Sequence, residues 1–161
     1  MNSRGKGFTL LELMVAVVIV GVLTAIAFPS YQEQMRRAKR AEGKTALLKA
    51  AQLQERIYIT GDPGVANSLA TYAANNRLPV LFGLAAGATV YSGENPALNS
   101  GAYTVTVDAL GGGCTSLQQC FVLRATPNGT HTDPKCAQLT LTSAGVRGST
   151  GTDTAARCWG M

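Results

Sequence analysis

The sequence is poor in charged residues, aromatic residues and histidine. Asp, Glu, Lys and Arg make up 14% of its 161 residues, against about 25% in average chains. The apolar fraction of 46% and the net charge of only +5 exclude a disordered chain, which needs low hydrophobicity and high net charge. The single His131 and the lack of any C-x-x-C spacing argue against zinc.

The residue patterns of an enzyme are also missing. His131 lies in a stretch rich in Thr, Asn and Gly and is interpreted as a turn residue. No Ser/His/Asp arrangement is visible in the sequence. We therefore expect a protein that is not an enzyme, with no catalytic residues, no cofactor and no metal.

A long apolar run lies near the N-terminus, from Phe8 to Phe28. As a helix it would measure ~31 Å, which is enough to cross a bilayer core. It is longer than the apolar stretch of a secretory signal, and no A-x-A site follows it before Pro29. The run is therefore interpreted as a retained membrane helix rather than a cleaved signal.

Charges around this run leave its orientation open, because Arg4 and Lys6 precede it and a basic stretch at 36–40 follows it. Glu12 is the anomaly within the run, since a carboxylate in a membrane span costs about 2.5–3.5 kcal/mol. Glu12 either reaches the headgroups from near the helix end or has a positive partner. A cut between Gly7 and Phe8 would create that partner as an α-amino group.

The stretch Lys6-Gly7-Phe8-Thr9-Leu10-Leu11-Glu12-Leu13-Met14, continued through Gly21 and Pro29 to Tyr31, resembles the class III signal of type IV pilins and pseudopilins. The resemblance implies that residues 1–7 are a leader, removed after Gly7 on the cytoplasmic side. It implies that the same membrane peptidase methylates Phe8. It also implies that Glu12 pairs with the amine of Phe8 on a neighbouring subunit, because a buried charge is tolerated only when paired.

The same resemblance implies an α+β fold of the type IV pilin kind, a long N-terminal helix packed on an antiparallel sheet with a disulfide-bounded C-terminal loop. The implied partners are other pilin subunits, the prepilin peptidase/methyltransferase and an inner-membrane assembly platform. The precursor would lie in the bacterial inner membrane, with its C-terminal domain outside. After assembly the protein would lie in an extracellular filament that serves adhesion, twitching motility or DNA uptake.

The long helix is predicted over residues 8–59, with its transmembrane and assembly half at 8–28. Pro29 either ends the membrane helix or kinks it, and the good helix formers at 31–59 favour a kink. An apolar stripe at Ala46, Ala50, Leu53 and Ile57 predicts the face that packs on the C-terminal domain. The seven bases of this segment are interpreted as a solvated helix face or as contacts to acidic groups on neighbouring subunits.

Residues 60–101 are predicted to form a long connecting loop that supplies subunit contacts or a display surface, with a short helix at 68–75. Residues 102–161 are predicted to form an antiparallel meander, because three segments alternate between apolar and polar residues. Their inward-facing residues are Tyr103, Val105 and Val107, then Phe121, Leu123 and Ala125, then Leu139 and Leu141.

All four cysteines lie in this last segment, at Cys114, Cys120, Cys136 and Cys158. An even number in an exported domain predicts two disulfides, for which three connectivities exist. We favour Cys114–Cys120, which would staple a hairpin, and Cys136–Cys158, which would anchor the C-terminus. The Cys136–Cys158 loop resembles the disulfide-bounded region of many pilins, and the surrounding sequence looks most like minor pilins.

Three functions remain open. The favoured one is a structural subunit of a type IV pilus, major or minor. The second is a DNA-binding competence pilin, whose contacts would come from four bases of the disulfide-bearing half (Arg124, Lys135, Arg147 and Arg157). Residues 60–161 hold five bases and five acids, so that half has no overall positive charge and DNA binding is not favoured. The third is a pseudopilin of a type II secretion system.

Overall fold

The architecture comes from a computed structural model that describes residues 8–62, 65, 71–74, 76–93, 101–108, 114–129 and 131–161. The chain forms two compact units, residues 1–37 and 38–161. Secondary structure begins with a helix and continues with a mixture of short helices and strands. The predicted leader, residues 1–7, lies outside the described residues.

Helix α1 runs from Leu10 to Thr60 and passes through Pro29. The alternative in which Pro29 ends the helix is therefore wrong, and a kink there stays a prediction. Thr9 caps the start, because its Oγ1 accepts a hydrogen bond from the Glu12 N–H at 3.2 Å. Gly61 ends the helix in a left-handed conformation (φ 82°), and its N–H donates to the Ile57 carbonyl.

The face of α1 within the second unit is buried over Arg40, Gly43, Ala46, Leu47, Ala50, Gln54 and Ile57. The predicted stripe is thus largely confirmed, although Leu53 is only half-buried. Gly43 is required at this face. A Cβ at its position would lie 2.9 Å from the Tyr103 ring, so the absent side chain lets the helix approach the sheet closely.

The sheet has five strands: β1 (Val90–Tyr91), β2 (Tyr103–Asp108), β3 (Val122–Pro127), β4 (Leu139–Thr142) and β5 (Arg147–Ser149). They pair antiparallel in the order β1-β2-β3-β4-β5, so the predicted meander is confirmed. Burial alternates along β2 and β4, as the period of two predicts. The short strands β1 and β5 were not predicted, and β1 comes from the predicted connecting loop.

The core lies between this sheet and α1. Tyr103, Leu123 and Leu139 from the strands are fully buried and share one cluster with Leu47 and Ala50 of the helix. Burial of each large apolar side chain stabilises the unit by about 1.5–3 kcal/mol. The predicted α+β arrangement of a long helix on an antiparallel sheet is therefore confirmed.

The connecting segment is tied to α1 by a buried amide. The Gln54 side chain donates to the Ala73 carbonyl at 2.9 Å and accepts from the Ala73 N–H at 2.7 Å. A single turn of helix, α2, covers Leu78–Leu81. Of the short helix predicted at 68–75, the described residues 71–74 are not helical, and the others lie outside the described residues.

Candidate functional site

The apolar half of α1 presents its side chains to the surroundings. Leu10, Val18 and Ile26 are all more than 60% exposed. One helix in the described part of the chain, α1, is long and apolar enough to cross a membrane. The hydroxyl of Thr24 donates to the Val20 carbonyl at 2.9 Å, so this polar residue does not interrupt the apolar surface.

The predicted processing and assembly residues lie at the start of this helix. Phe8 is 83% exposed and precedes the first helical residue. Glu12 is exposed in the first turn, where the free N–H groups and the helix dipole favour a carboxylate. Gly7 lies outside the described residues. The segment therefore offers an exposed apolar helix with one carboxylate near its N-terminus.

Two disulfides organise the second unit, and their pairing is the favoured one, Cys114–Cys120 and Cys136–Cys158. The second bridge fixes a short C-terminal helix, α3 (Ala155–Trp159), to the loop before β4. No cysteine is left as a thiol. Across the described ranges, no cluster of three or more His, Cys, Asp or Glu residues could hold a metal.

A buried ion pair joins α1 to the same loop. The Arg40 guanidinium donates two hydrogen bonds to the Asp133 carboxylate, at 2.5 and 2.8 Å. Burial alone would raise the pKa of Asp133, but the hydrogen bonds and charge of Arg40 outweigh it and lower that pKa. Burial, aided by Asp133, raises the pKa of the neighbouring Tyr103. His131 is buried against the Tyr103 ring, so it is a core residue as well as a turn residue.

The four sequence-predicted bases do not form one cluster. Arg124 is bound on the sheet by Asp108 at 2.6 Å and by Gln138 at 2.6 Å, so its charge is matched. Arg157 pairs with Asp153 at 3.5 Å, and the Asp153 N–H donates to the Lys135 carbonyl. The backbones that carry Lys135 and Arg157 therefore lie close together.

Arg147 lies at the start of β5. Its guanidinium carbon lies 5.4 Å from the centroid of the Trp159 ring, a cation–π contact. Trp159 is itself buried, and its Nε1 donates to the Gly148 carbonyl at 3.0 Å. The cation is therefore held over a fixed ring.

Lys44 of α1 also reaches the C-terminal end of α3, beside Gly160. No pattern in the sequence indicates this contact. The Nζ of Lys44 lies 3.9 Å from the position that a Cβ of Gly160 would occupy. Burial, then the charge of Arg40, then the charge of Arg147 lower the pKa of Lys44. The sequence could not indicate this cluster, because Lys44 and Arg147 are brought together only by the packing of α1, β5 and α3.

The fold, the exposed apolar helix and the two disulfides define a type IV pilin. The N-terminal part matches the sequence model of the prokaryotic N-terminal methylation motif over residues 2–28. Residues 29–140, well over half of the chain, match the family described as "Type IV minor pilin ComP, DNA uptake sequence receptor". The chain belongs to this family.

Named relatives resemble part of the chain. It is 40% identical over 74 residues to the type IV major pilin protein PilE1 of Neisseria gonorrhoeae, over 42% of this chain and 35% of that one. It is 50% identical over 46 residues to the type IV major pilin protein PilA of Myxococcus xanthus (29% and 21%). With the type IV major fimbrial protein FimA of Dichelobacter nodosus it shares 51% identity over 43 residues (27% of each). The matches thus span about a third or less of each relative.

Proposed function

We propose that this chain is a minor subunit of a type IV pilus whose second unit binds double-stranded DNA. The observation that carries this proposal is the match of residues 29–140 to a family described as a DNA uptake sequence receptor. The role is structural and DNA-binding rather than enzymatic. From the sequence alone, a structural subunit was favoured over a DNA-binding pilin, because the C-terminal half has no net charge. The proposal reverses that preference.

The route into the pilus follows from the N-terminal motif. Phe8 to Phe28 inserts in the inner membrane, the leader is removed after Gly7, and Phe8 is methylated by the prepilin peptidase. The apolar half of α1 then polymerises with other pilin subunits on an inner-membrane platform. The match to the methylation motif over residues 2–28 and the exposed apolar surface of α1 support this order of events.

Glu12 is the proposed assembly residue. Its carboxylate would pair with the amine of Phe8 on a neighbouring subunit, and low dielectric strengthens such a pair. We expect Glu12→Leu to leave processing intact and to remove the chain from the filament. Mass spectrometry of sheared filaments and of membranes tests both points. Glu33→Leu, beyond the apolar half, is the matched control, and a normal filament content of the Glu12 variant would contradict the assignment.

DNA binding is tested on the mature full-length chain in non-ionic detergent, by fluorescence anisotropy of short labelled duplexes across a salt series. We expect the affinity to fall linearly with the logarithm of salt, as for phosphate contacts. A combined Lys135→Gln, Arg147→Gln and Arg157→Gln variant should weaken binding. The control removes two bases elsewhere, Lys49→Gln with Arg56→Gln. No detectable binding by the unaltered chain at low salt would overturn the DNA-binding role.

A further inference from the structure

We propose that Lys44 and Arg147 form a two-cation clamp that holds one backbone phosphate of bound DNA. This inference rests on the proposed DNA-binding function and locates a contact within it. Neither residue forms an ion pair with a carboxylate in the described part of the chain, and Arg147 instead lies over the Trp159 ring. The clamp joins the middle of α1 to the C-terminal disulfide region.

The two cations are carried by rigid elements that meet at the C-terminal end of α3. Lys44 follows Gly43, which packs on Tyr103, and it reaches to within 3.9 Å of the Cβ position of Gly160. Arg147 stacks over Trp159, the residue that precedes Gly160. Both cations therefore contact neighbouring residues at the end of α3, and neither depends on a flexible loop.

Such a pair is unfavourable in the folded chain unless an anion binds to it. Partial burial and the two nearby arginines disfavour the charge on Lys44, which lowers its pKa. Elsewhere in the second unit arginines meet aspartates: Arg40 meets Asp133, and Arg77 meets Asp62. At Lys44 and Arg147 no such partner is supplied by the described residues, so the cluster is open to an external anion.

The chemistry of the two groups suits a phosphate diester. The planar guanidinium of Arg147 can donate to two phosphate oxygens, and the ring of Trp159 orients it in advance. The Lys44 ammonium adds a point charge from the side of α1. Contacts of this kind position a duplex without reading its sequence.

The test uses the mature full-length chain in non-ionic detergent, with labelled duplexes of two unrelated sequences across a salt series. The variants are Lys44→Gln, Arg147→Gln and the two combined. Because the two cations share one phosphate, the double variant should lose about 0.9 of the salt slope, or about eightfold in affinity near 0.1 M salt if the electrostatic contribution vanishes near 1 M, and each single variant should lose less. The loss should be equal on both sequences. Lys49→Gln, on the same helix, is the control.

Thermal unfolding separates this role from a structural one. Removing Lys44 relieves repulsion, so Lys44→Gln should unfold at the same temperature as the unaltered chain or higher while it binds DNA less well. Arg147→Lys keeps the charge and loses the planar fork, so it should retain most of the salt slope and bind with intermediate affinity.

Three results would overturn the clamp. If the unaltered chain binds DNA and the double variant binds with the same affinity and slope, the clamp alone fails and the DNA-binding role stands. If the double variant keeps DNA binding but loses binding to phosphatidylglycerol vesicles, the anion is a lipid headgroup. If the unaltered chain binds neither duplex, the clamp and the proposed function fail together.

Discussion

Replacement of Asp133 by asparagine tests how far the second unit depends on its buried ion pair. The side chains of Arg40 and Asp133 are 7% and 0% exposed, and two hydrogen bonds join them. Asp133→Asn keeps the shape of the side chain and removes its charge. The Arg40 guanidinium is then left buried without its counter-charge.

The expected loss is large because the remaining charge is desolvated. Breaking a buried pair by removing one partner costs about 3–5 kcal/mol, a large part of the 5–15 kcal/mol that stabilises a typical domain. For a chain of this size the unfolding temperature should fall by about 6–20 °C. The ion pair of Arg124 and Asp108, with side chains 33% and 35% exposed, should contribute less than about 1 kcal/mol.

The measurement is thermal unfolding of the mature chain in non-ionic detergent, followed by the fluorescence of Trp159, the only tryptophan, which is buried in the second unit. Asp108→Asn is the matched control. Adding Arg40→Met to Asp133→Asn should recover part of the loss, since neither member of this pair then carries a charge. If Asp133→Asn lowers the unfolding temperature no more than Asp108→Asn, the buried charge does not govern stability here.

Three further changes probe the same unit. The pKa of Asp133 is lower in the folded chain than in the unfolded chain, where it is about 3.9, so ionised Asp133 stabilises the fold above that pH and this stabilisation is lost as the pH falls through the folded pKa. The unfolding temperature should therefore decrease when the pH is lowered past about 4. Asp133→Asn should abolish that decrease. Gln54→Met should cost about 2–4 kcal/mol, measured by denaturant unfolding, because the N–H and carbonyl of Ala73 lose their buried partners. Gly151→Ala should cost at least about 1–3 kcal/mol in the same assay, because the new Cβ would overlap the Lys135 carbonyl.

Matched controls exist for the last two changes. Gln52→Met alters an exposed glutamine of α1 two residues before Gln54, and it should leave stability within about 0.5 kcal/mol of the unaltered chain. Gly129→Ala introduces a Cβ into open space. Equal effects of each variant and its control would contradict the assigned contacts.

Local patterning was enough to predict the long helix and three of the strands. Alternation over 103–108 and 139–142 needs only neighbouring residues, and the structure follows it. Strands β1 and β5, of two and three residues, are too short to show a period and exist because a neighbouring strand supplies hydrogen bonds. The disulfide pairing could be predicted from the sequence because four cysteines allow only three connectivities.

Contacts between distant parts of the chain could not be predicted in this way. Arg40 and Lys44 looked like members of a solvated basic face, yet Arg40 is buried against Asp133 and Lys44 lies beside Gly160 near the C-terminus. Glycine disfavours a helix interior, but Gly43 is the position at which α1 meets the Tyr103 ring. Each of these roles depends on a partner from an element far along the sequence.

The short outer strands of the sheet protect the protein against aggregation through its sheet edges. Strand edges expose unpaired backbone groups that can recruit strands of other molecules, and short, charged edges reduce this aggregation. Here the meander ends in β1, with two residues, and in β5, with three residues that include Arg147 and a glycine. Such edges disfavour cross-β pairing between copies of the second unit.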